Sequence, residues 1–189
     1  MGKQVANVKI GTPKITFEDN SPEVMEAFFH AVERGLEAIG ITAEGYAKKE
    51  LSKVQAHAGG PDRPYIDTGR LRNSITHATK TTEGRSYQYE DDRGTKFLSR
   101  IGTGAEENAV YIGTNVEYAP FVEMGTGIYA ENEDGMPNGD GRTDPWAYQD
   151  DDGNWHMTRG IKPVHFLKKA ASEHTDEYKN LMEESIENA

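Results

Sequence analysis

The sequence predicts an α+β fold in which a long N-terminal helix and a C-terminal helix pack on a small antiparallel sheet, with long polar loops. Three observations predict it. Apolar residues recur with helical period from Ser21 to about Val54. From Thr76 to Asn115 the period changes to two. A second helical period runs from Lys162 almost to the end of the 189 residues. That length suits a single domain, with residues 1–20 as an N-terminal arm and residues 130–160 as an extended loop.

The stretch VANVKIGTPKITFE, residues 5–18, alternates apolar and polar on both sides of Gly11-Thr12-Pro13, which predicts a short strand or hairpin. Ser21-Pro22-Glu23 is a helix start. Serine accepts from a free N–H, proline suits the first helical position, and the carboxylate suits the positive end of the dipole. Val24, Phe28, Ala31, Leu36, Ile39, Tyr46 and Leu51 then fall near one face and are expected to be core. A bend is expected near Gly35, Gly40 or Gly45. HAGGPDRPYI breaks the pattern, because its glycines and prolines do not fit inside a regular element.

TGRLRNSI reads as a short helix with Leu71 and Ile75 one turn apart. THATKTT, SYQYE, TKFLSRIG and NAVYIGTN read as antiparallel strands separated by EGR, DDRG and GTGAEEN. VEYAPFVEMGTG predicts one or two helical turns ended by Gly125. Residues 130–160 are rich in Gly, Asp, Asn and Pro, with Trp146, Tyr148 and Trp155 embedded. Such a loop buries too little surface to order itself, and its tryptophans are expected to dock onto something. Lys162-Pro163 opens the last helix, with Leu167, Ala170, Ala171, His174, Tyr178, Leu181 and Met182 as its stripe. Glu183, Glu184 and Glu187 lie at its negative end, so the last turn is expected to fray.

Composition narrows the function. The formal charge is −11, from 32 acidic against 21 basic residues. A tight nucleic-acid reader needs a basic patch to neutralise phosphates, whereas an acidic surface should repel DNA, which leaves open only a surface past which DNA slides. The chain has no cysteine, hence no disulfide, thiolate metal site or cysteine nucleophile. No apolar run approaches the roughly 18 residues that span a bilayer, and no secretory h-region is visible. A soluble protein made in the cytoplasm, with no membrane partner, is the expectation.

No motif calls for a cofactor or a metal. Fitting an EF-hand to Asn138-Gly139-Asp140-Gly141 puts Met136 in the first ligand position, and fitting it to Asp150-Asp151-Asp152-Gly153 puts Tyr148 there. The histidines at 30, 57, 77, 156, 165 and 174 lack a zinc spacing. Gly102-Thr103-Gly104 lacks the third glycine of a dinucleotide fingerprint.

YIDTGRLRNSI raises the one enzymatic alternative, because Asp67-Thr68-Gly69 is how a dimeric DTG-type aspartic protease presents its carboxylate. Tyr111-Ile112-Gly113 resembles the element that packs beside that loop. Against it, Arg70 follows in place of a small residue, Pro61 and Pro64 disrupt the preceding strand, and LRNSI continues as a helix. The simpler reading is that Asp67 or Thr68 caps that helix, with Arg70 and Arg72 on its exposed side and no catalytic residue.

With that reading, three ordered blocks become visible: DTGRLRNSI at Asp67–Ile75, then IGTNVEYAPFVEMGT at Ile112–Thr126, then KPVHFL at Lys162–Leu167. Together they resemble the head–tail connector family of long-tailed phages, the neck or tail-completion proteins. YAPFVEMGTG is the most specific piece. The tract from Arg85 to Ala105, the long 130–160 loop and PVHFL depart from the family pattern. The resemblance implies a virion protein of the neck and no catalysis. It implies a ring of copies, usually a hexamer, set between a connector, adaptor or stopper protein and the tail terminator or tail tube protein. DNA passes through the lumen without specific binding. The structural and interface residues it marks are Asp67, Thr68, Gly69 and Leu71; Tyr118, Pro120, Glu123 and Gly125; Trp146 and Trp155; and Pro163, Phe166 and Leu167. Glu123 either bridges to a neighbouring subunit or caps a backbone group. The bridging alternative expects Glu123→Lys to fold normally and to fail only in joining. A free-standing module whose tryptophan loop grips a ligand is a further alternative.

The capping reading of Asp67 is testable. Asp67→Asn should keep most of the stability, because Asn caps nearly as well, while Asp67→Ala with Thr68→Ala should cost about 1–2 kcal/mol in denaturant unfolding. A protease would reverse the order of importance, with Asp67→Asn already inactive.

Overall fold

The structure, a computed structural model, describes residues 5–8, 15–18, 20–53, 69–100, 102, 104–132, 142–149 and 153–188. The architecture is α+β. Strands β1 (Val5–Val8) and β2 (Ile15–Glu18) form the expected antiparallel hairpin, with Val5 opposite Glu18. Gly11-Thr12-Pro13 lies outside the described residues, as does the HAGGPDRPYI break. Helix α1 (Ser21–Lys53) starts at the predicted Ser21 and runs for 33 residues, about 50 Å.

The buried seam of α1 follows the expected face only in part: Ala31 and Leu51 are buried and Tyr46 packs against the core, but the large residues of the first turns do not take part. It consists of Ala31, Gly35, Gly40, Ala43, Ala47 and Leu51. Val24 is 64% and Phe28 43% exposed, and the first ten residues of the helix are all exposed. The reason is close approach. A Cβ on Gly35 would meet Met182 Sδ and Ser185 Cβ, and one on Gly40 would run into the His77 ring and Val110. Ser185 Oγ donates to the Ala31 carbonyl at 2.7 Å, a bond only possible where two helices nearly touch. Two of the three glycines expected at a bend are therefore packing positions.

Helix α2 (Arg70–Ser74) leads into β3 (Thr76–Ala78). Strands β4 (Ser86–Glu90), β5 (Lys96–Arg100) and β6 (Tyr111–Gly113) follow. All pairs are antiparallel, but they form separate two-stranded pieces: β3 with β6, and β4 with β5. The predicted strand THATKTT stops after Ala78 because Thr82 Oγ1 accepts from Thr79 N–H at 2.8 Å and closes a turn. The β4–β5 pair is stapled by Tyr89 stacked on Phe97, with ring centroids 5.3 Å apart.

Helix α3 (Ala119–Met124) ends at Gly125, as expected, and a 3-10 turn spans Gly127–Tyr129. The 130–160 stretch is more regular than a polar loop. It contains β7 (Trp146–Gln149) and β8 (Trp155–Thr158), paired with Trp146 opposite Thr158. WAYQ and WHMT alternate in size and polarity, a strand signal masked by the acids and glycines around them. Tyr148 stacks on His156 at 5.2 Å across the pair. Residues 133–141 and 150–152 lie outside the described residues.

The C-terminal helix differs in two ways from the expectation. It starts at Phe166, after the non-helical residues 162–165, and it is broken into α4 (Phe166–Ser172) and α5 (Thr175–Glu187). The break lets α4 enter the core while α5 runs back along α1. His174, at the break, stacks on Tyr46 of α1, and Tyr178 O–H donates to the Ala170 carbonyl across it. At the acidic end of α5, Asn188 donates both its N–H (3.2 Å) and its Nδ2 (2.7 Å) to the Glu184 carbonyl, a cap that the charge count omitted.

The core lies where α1, α2, α3 and α4 meet. It holds Ala47, Leu51, Leu71, Ile75, Val116, Ala119, Val122, Val164, Phe166 and Ala170, with Tyr46, Ile112 and Leu167 packed against it. Phe166, fully buried, is its largest side chain.

The seam predicts opposite outcomes for two glycines of α1. Gly45 has open space around its Cβ direction, so Gly45→Ala should gain about 0.5–1 kcal/mol from helix propensity. Gly40→Ala gains the same propensity but must displace His77, an overpacking cost of about 1–3 kcal/mol, and should be net destabilising. Denaturant midpoints of the two variants, shifted in opposite directions, check this.

Candidate functional site

The second and third blocks, more than thirty residues apart in the sequence, interlock backbone to backbone. Val164 N–H donates to the Val122 carbonyl at 3.0 Å and His165 N–H to the Glu123 carbonyl at 3.2 Å. Thr126 N–H donates to the Ile161 carbonyl at 2.9 Å, and Ile128 N–H to the Arg159 carbonyl at 3.0 Å. Thr126 Oγ1 returns the bond by accepting from Ile161 N–H at 3.0 Å.

The glycines explain why this is possible. Gly127 (φ 62) and Gly160 (φ 124) face each other, and a Cβ on either would collide with the opposite backbone, at Arg159 or Thr126. Gly125 (φ 77) is closed in by the Tyr129 and Ile161 carbonyls and by Cδ of Pro163. Both the left-handed backbone and the missing side chain are needed here.

Glu123 completes the corner. Its Oε2 accepts from Leu167 N–H and its Oε1 from Lys168 N–H, each at 3.0 Å. One carboxylate thus satisfies two of the free N–H groups at the start of α4 and meets the positive end of that helix. Of the two alternatives for Glu123, the structure shows the backbone cap. Both oxygens are engaged within the subunit, so Glu123→Lys is now expected to affect folding as well. His165, the residue before α4, takes a left-handed φ of 55 and sets Nε2 3.1 Å from Glu131 Oε2. Its buried Nδ1 has no hydrogen-bond partner among the described residues.

Of the other residues in these blocks, Tyr118 is at the N-cap of α3 and 36% exposed, and Pro120 occupies the first turn. Burial pushes the Tyr118 hydroxyl pKa up. Phe166 is buried, and Leu167 is at the edge of the core. Trp146 and Trp155 are on opposite faces of the β7–β8 hairpin. The Arg142 guanidinium lies 5.2 Å over the Trp146 ring, whereas Trp155 is 70% exposed beside Met157 at 68%. The hairpin joins the interlock at its foot, through Arg159 and Gly160, and otherwise packs chiefly on itself.

In the first block, Leu71 and Ile75 enter the core. Asp67 and Thr68, with their expected capping role, lie outside the described residues. The N-cap position itself is Gly69, at φ 68, where the Asp92 carboxylate fills the space of a Cβ. Arg70 and Arg72 do not form a free exposed side. Arg72 Nη2 is 2.7 Å from Asp92 Oδ1, Arg70 Nη2 is 3.2 Å from Glu117 Oε2, and the Arg70 guanidinium lies 4.7 Å over Phe97. Asn73 Nδ2 adds a bond to the Glu90 carbonyl at 2.8 Å. These arginines tie α2 to the β4–β5 hairpin and to the approach to α3, a role set by neighbours distant in sequence.

The arrangement is a corner built from paired backbone, closely approaching glycines and one capping carboxylate. Among the described residues no group of three or more His, Asp or Glu is placed to hold a metal ion, and no helix is long and apolar enough to cross a membrane.

Replacing Glu123 should therefore act on the subunit itself. Glu123→Ala should cost about 1–2 kcal/mol, because two N–H groups lose their acceptor, while Glu123→Gln should cost less, as one side-chain oxygen remains. Glu123→Lys should be the most damaging, since it sets a cation against the positive end of α4. Urea midpoints of the three isolated variants give the order.

Compared with known proteins, the chain matches no family model, no curated protein and no solved structure, so its family resemblance rests on the three motif blocks themselves.

Proposed function

We propose that this protein is a structural component of a phage neck. It assembles as a ring, a hexamer, completes the tail end and joins it to the head, with DNA passing through the lumen. Its partners are further copies of itself, an adaptor or stopper protein on the head side, and the tail terminator or tail tube protein on the other.

The observation that carries this reading is the interlock itself. The two most family-like blocks form one corner in which Gly125, Glu123 and Pro163 each have a structural task. The motif resemblance is thus a resemblance between residues that act together. Two further features support assembly. Val24, Met25, Phe28 and Phe29 are all exposed on the first turns of α1, and Trp155 with Met157 is exposed on the β7–β8 hairpin. Apolar side chains gathered on projecting elements suit surfaces that neighbours cover. A ring needs two different, complementary patches on each copy, and these are two different patches. The net charge of −11 lets DNA pass without adhering.

Deleting the gene from the phage should leave DNA-filled heads and finished tails that do not join. Adding the purified protein to the mixed lysate should restore infectious particles. Loss of DNA-filled heads in the deletion strain would place the protein earlier, in packaging or capsid maturation, and would remove this reading.

A further inference from the structure

We propose that His77 is a pH-operated clasp between α1 and the β3–β6 pair, closed while its ring carries two N–H groups and released when one is lost. The inference is independent of the neck reading.

The geometry starts on α1. Glu37 and Glu44 lie two turns apart on one face of the helix, and Gly40 sits between them. His77, on β3, lies in that gap. Its Nδ1 is 2.9 Å from Glu44 Oε2 and its Nε2 is 3.2 Å from Glu37 Oε1. The His77 side chain is 12% exposed and that of Glu44 22%. Gly40 makes the fit possible, because any Cβ there would strike the ring.

An ionised carboxylate only accepts hydrogen bonds, so each ring nitrogen must donate. A neutral imidazole has one N–H; the imidazolium has two. The closed contact therefore selects the cation. Loss of a proton turns one nitrogen lone pair towards a carboxylate and replaces attraction by repulsion.

Among the described residues one other charge reaches this contact, the Lys48 ammonium, and it takes Glu44 Oε1 while His77 takes Oε2. On α1, Lys48 pairs with Glu44 and so holds that carboxylate ionised. On β6 the residue opposite His77 is Ile112, and Val110 touches the ring side of Gly40. From β4–β5 the polar groups on that side are Ser99 and Tyr87, whose O–H donates to the Ser74 carbonyl.

The proton affinities follow the geometry. The hydrogen bond to Glu44 raises the His77 pKa above its ordinary value; burial opposes this, and Glu37 adds to it. Burial pushes Glu44 up, but its bonds to His77 and Lys48 outweigh that and hold it below the usual carboxylate value. A raised histidine pKa stabilises the fold fully below the unfolded value and loses that stabilisation as pH rises through the folded value. A lowered carboxylate pKa stabilises above its unfolded value and loses it as pH falls through the folded one. The clasp is thus closed between the lowered Glu44 value and the raised His77 value. It opens on the alkaline side by loss of the His77 proton. The β3–β6 pair it holds also lines an open cleft of about 450 Å³ with Ala78, Ser99 and Gly104 on its walls, so release loosens one wall of that cleft.

The decisive measurement is an NMR titration of the intact chain with His77 assigned. The titration midpoint should lie above the ordinary 6.5, and both ring nitrogens should carry protons below that midpoint. As pH rises through that midpoint, the thermal midpoint should fall by roughly 2–4 °C for each kcal/mol of coupling lost. Amide exchange in β3 and β6, corrected for its intrinsic pH dependence, should quicken relative to that of the α1–α5 contact. Glu37→Gln should move the His77 midpoint down, and His77→Gln should flatten the alkaline loss of thermal stability. A His77 midpoint at or below 6.5, or a ring that carries a single N–H below its midpoint, overturns the proposal. Because that titration uses the unaltered chain, it decides the matter even if His77→Gln fails to fold.

Discussion

The small residues along α1 let two helices and a strand lie directly against a single helix. Ala31 and Gly35 meet α5, Gly40 meets His77 on β3, and Ala47 with Leu51 enters the core beside α4. Dispersion falls steeply with distance, so a seam without bulk gains more from close backbones than it loses in side-chain area. The same seam gives the glycines their meaning. A glycine in a helix is intrinsically unfavourable by about 1 kcal/mol relative to alanine, and Gly35 and Gly40 are offset by what packs into the space they leave. The large apolar residues of the first turns, Val24, Met25, Phe28 and Phe29, are not packed in this way among the described residues and are exposed.

At the opposite side of the core, the corner formed by residues 119–129 and 159–168 works by a different principle. Here the contact is backbone to backbone, held by reciprocal hydrogen bonds between Thr126 and Ile161. The Glu123 carboxylate makes the start of α4 depend on the end of α3, because it caps a helix that begins more than forty residues later. Helix α4 carries Phe166 and Ala170 into the core. The corner therefore sets where the last part of the core sits. Both carboxylate oxygens of Glu123 are thereby engaged within the fold, while the first turns of α1 and Trp155 with Met157 on the β7–β8 hairpin expose apolar side chains.

What the sequence determined by itself were features set by residues adjacent in the chain. The start of α1 at Ser21-Pro22-Glu23, the end of α3 at Gly125, the β1–β2 hairpin and the strand at Ser86–Glu90 follow from caps, turn glycines and alternation. Blocks that meet in the corner were also recognisable, because glycine and proline mark unusual backbone wherever it occurs. Their meeting was not, since no local pattern tells Gly127 that it will face Gly160.

Only the tertiary structure decided which face of α1 is buried, why the last helix breaks, and what the charged side chains do. Periodicity weighs side chains by hydrophobicity, whereas the seam of α1 is chosen by how closely α5 and β3 approach. The break between α4 and α5 follows from Tyr46 receiving His174, a contact between distant residues. Arg70 and Arg72 read locally as exposed charges and Glu123 as a bridge or a cap with no partner identified, yet each finds its partner across the fold. His77 carried no local signal at all. Glu37 and Glu44 share a helix face by spacing alone, but a histidine from another element must be brought between them before that spacing has any chemistry.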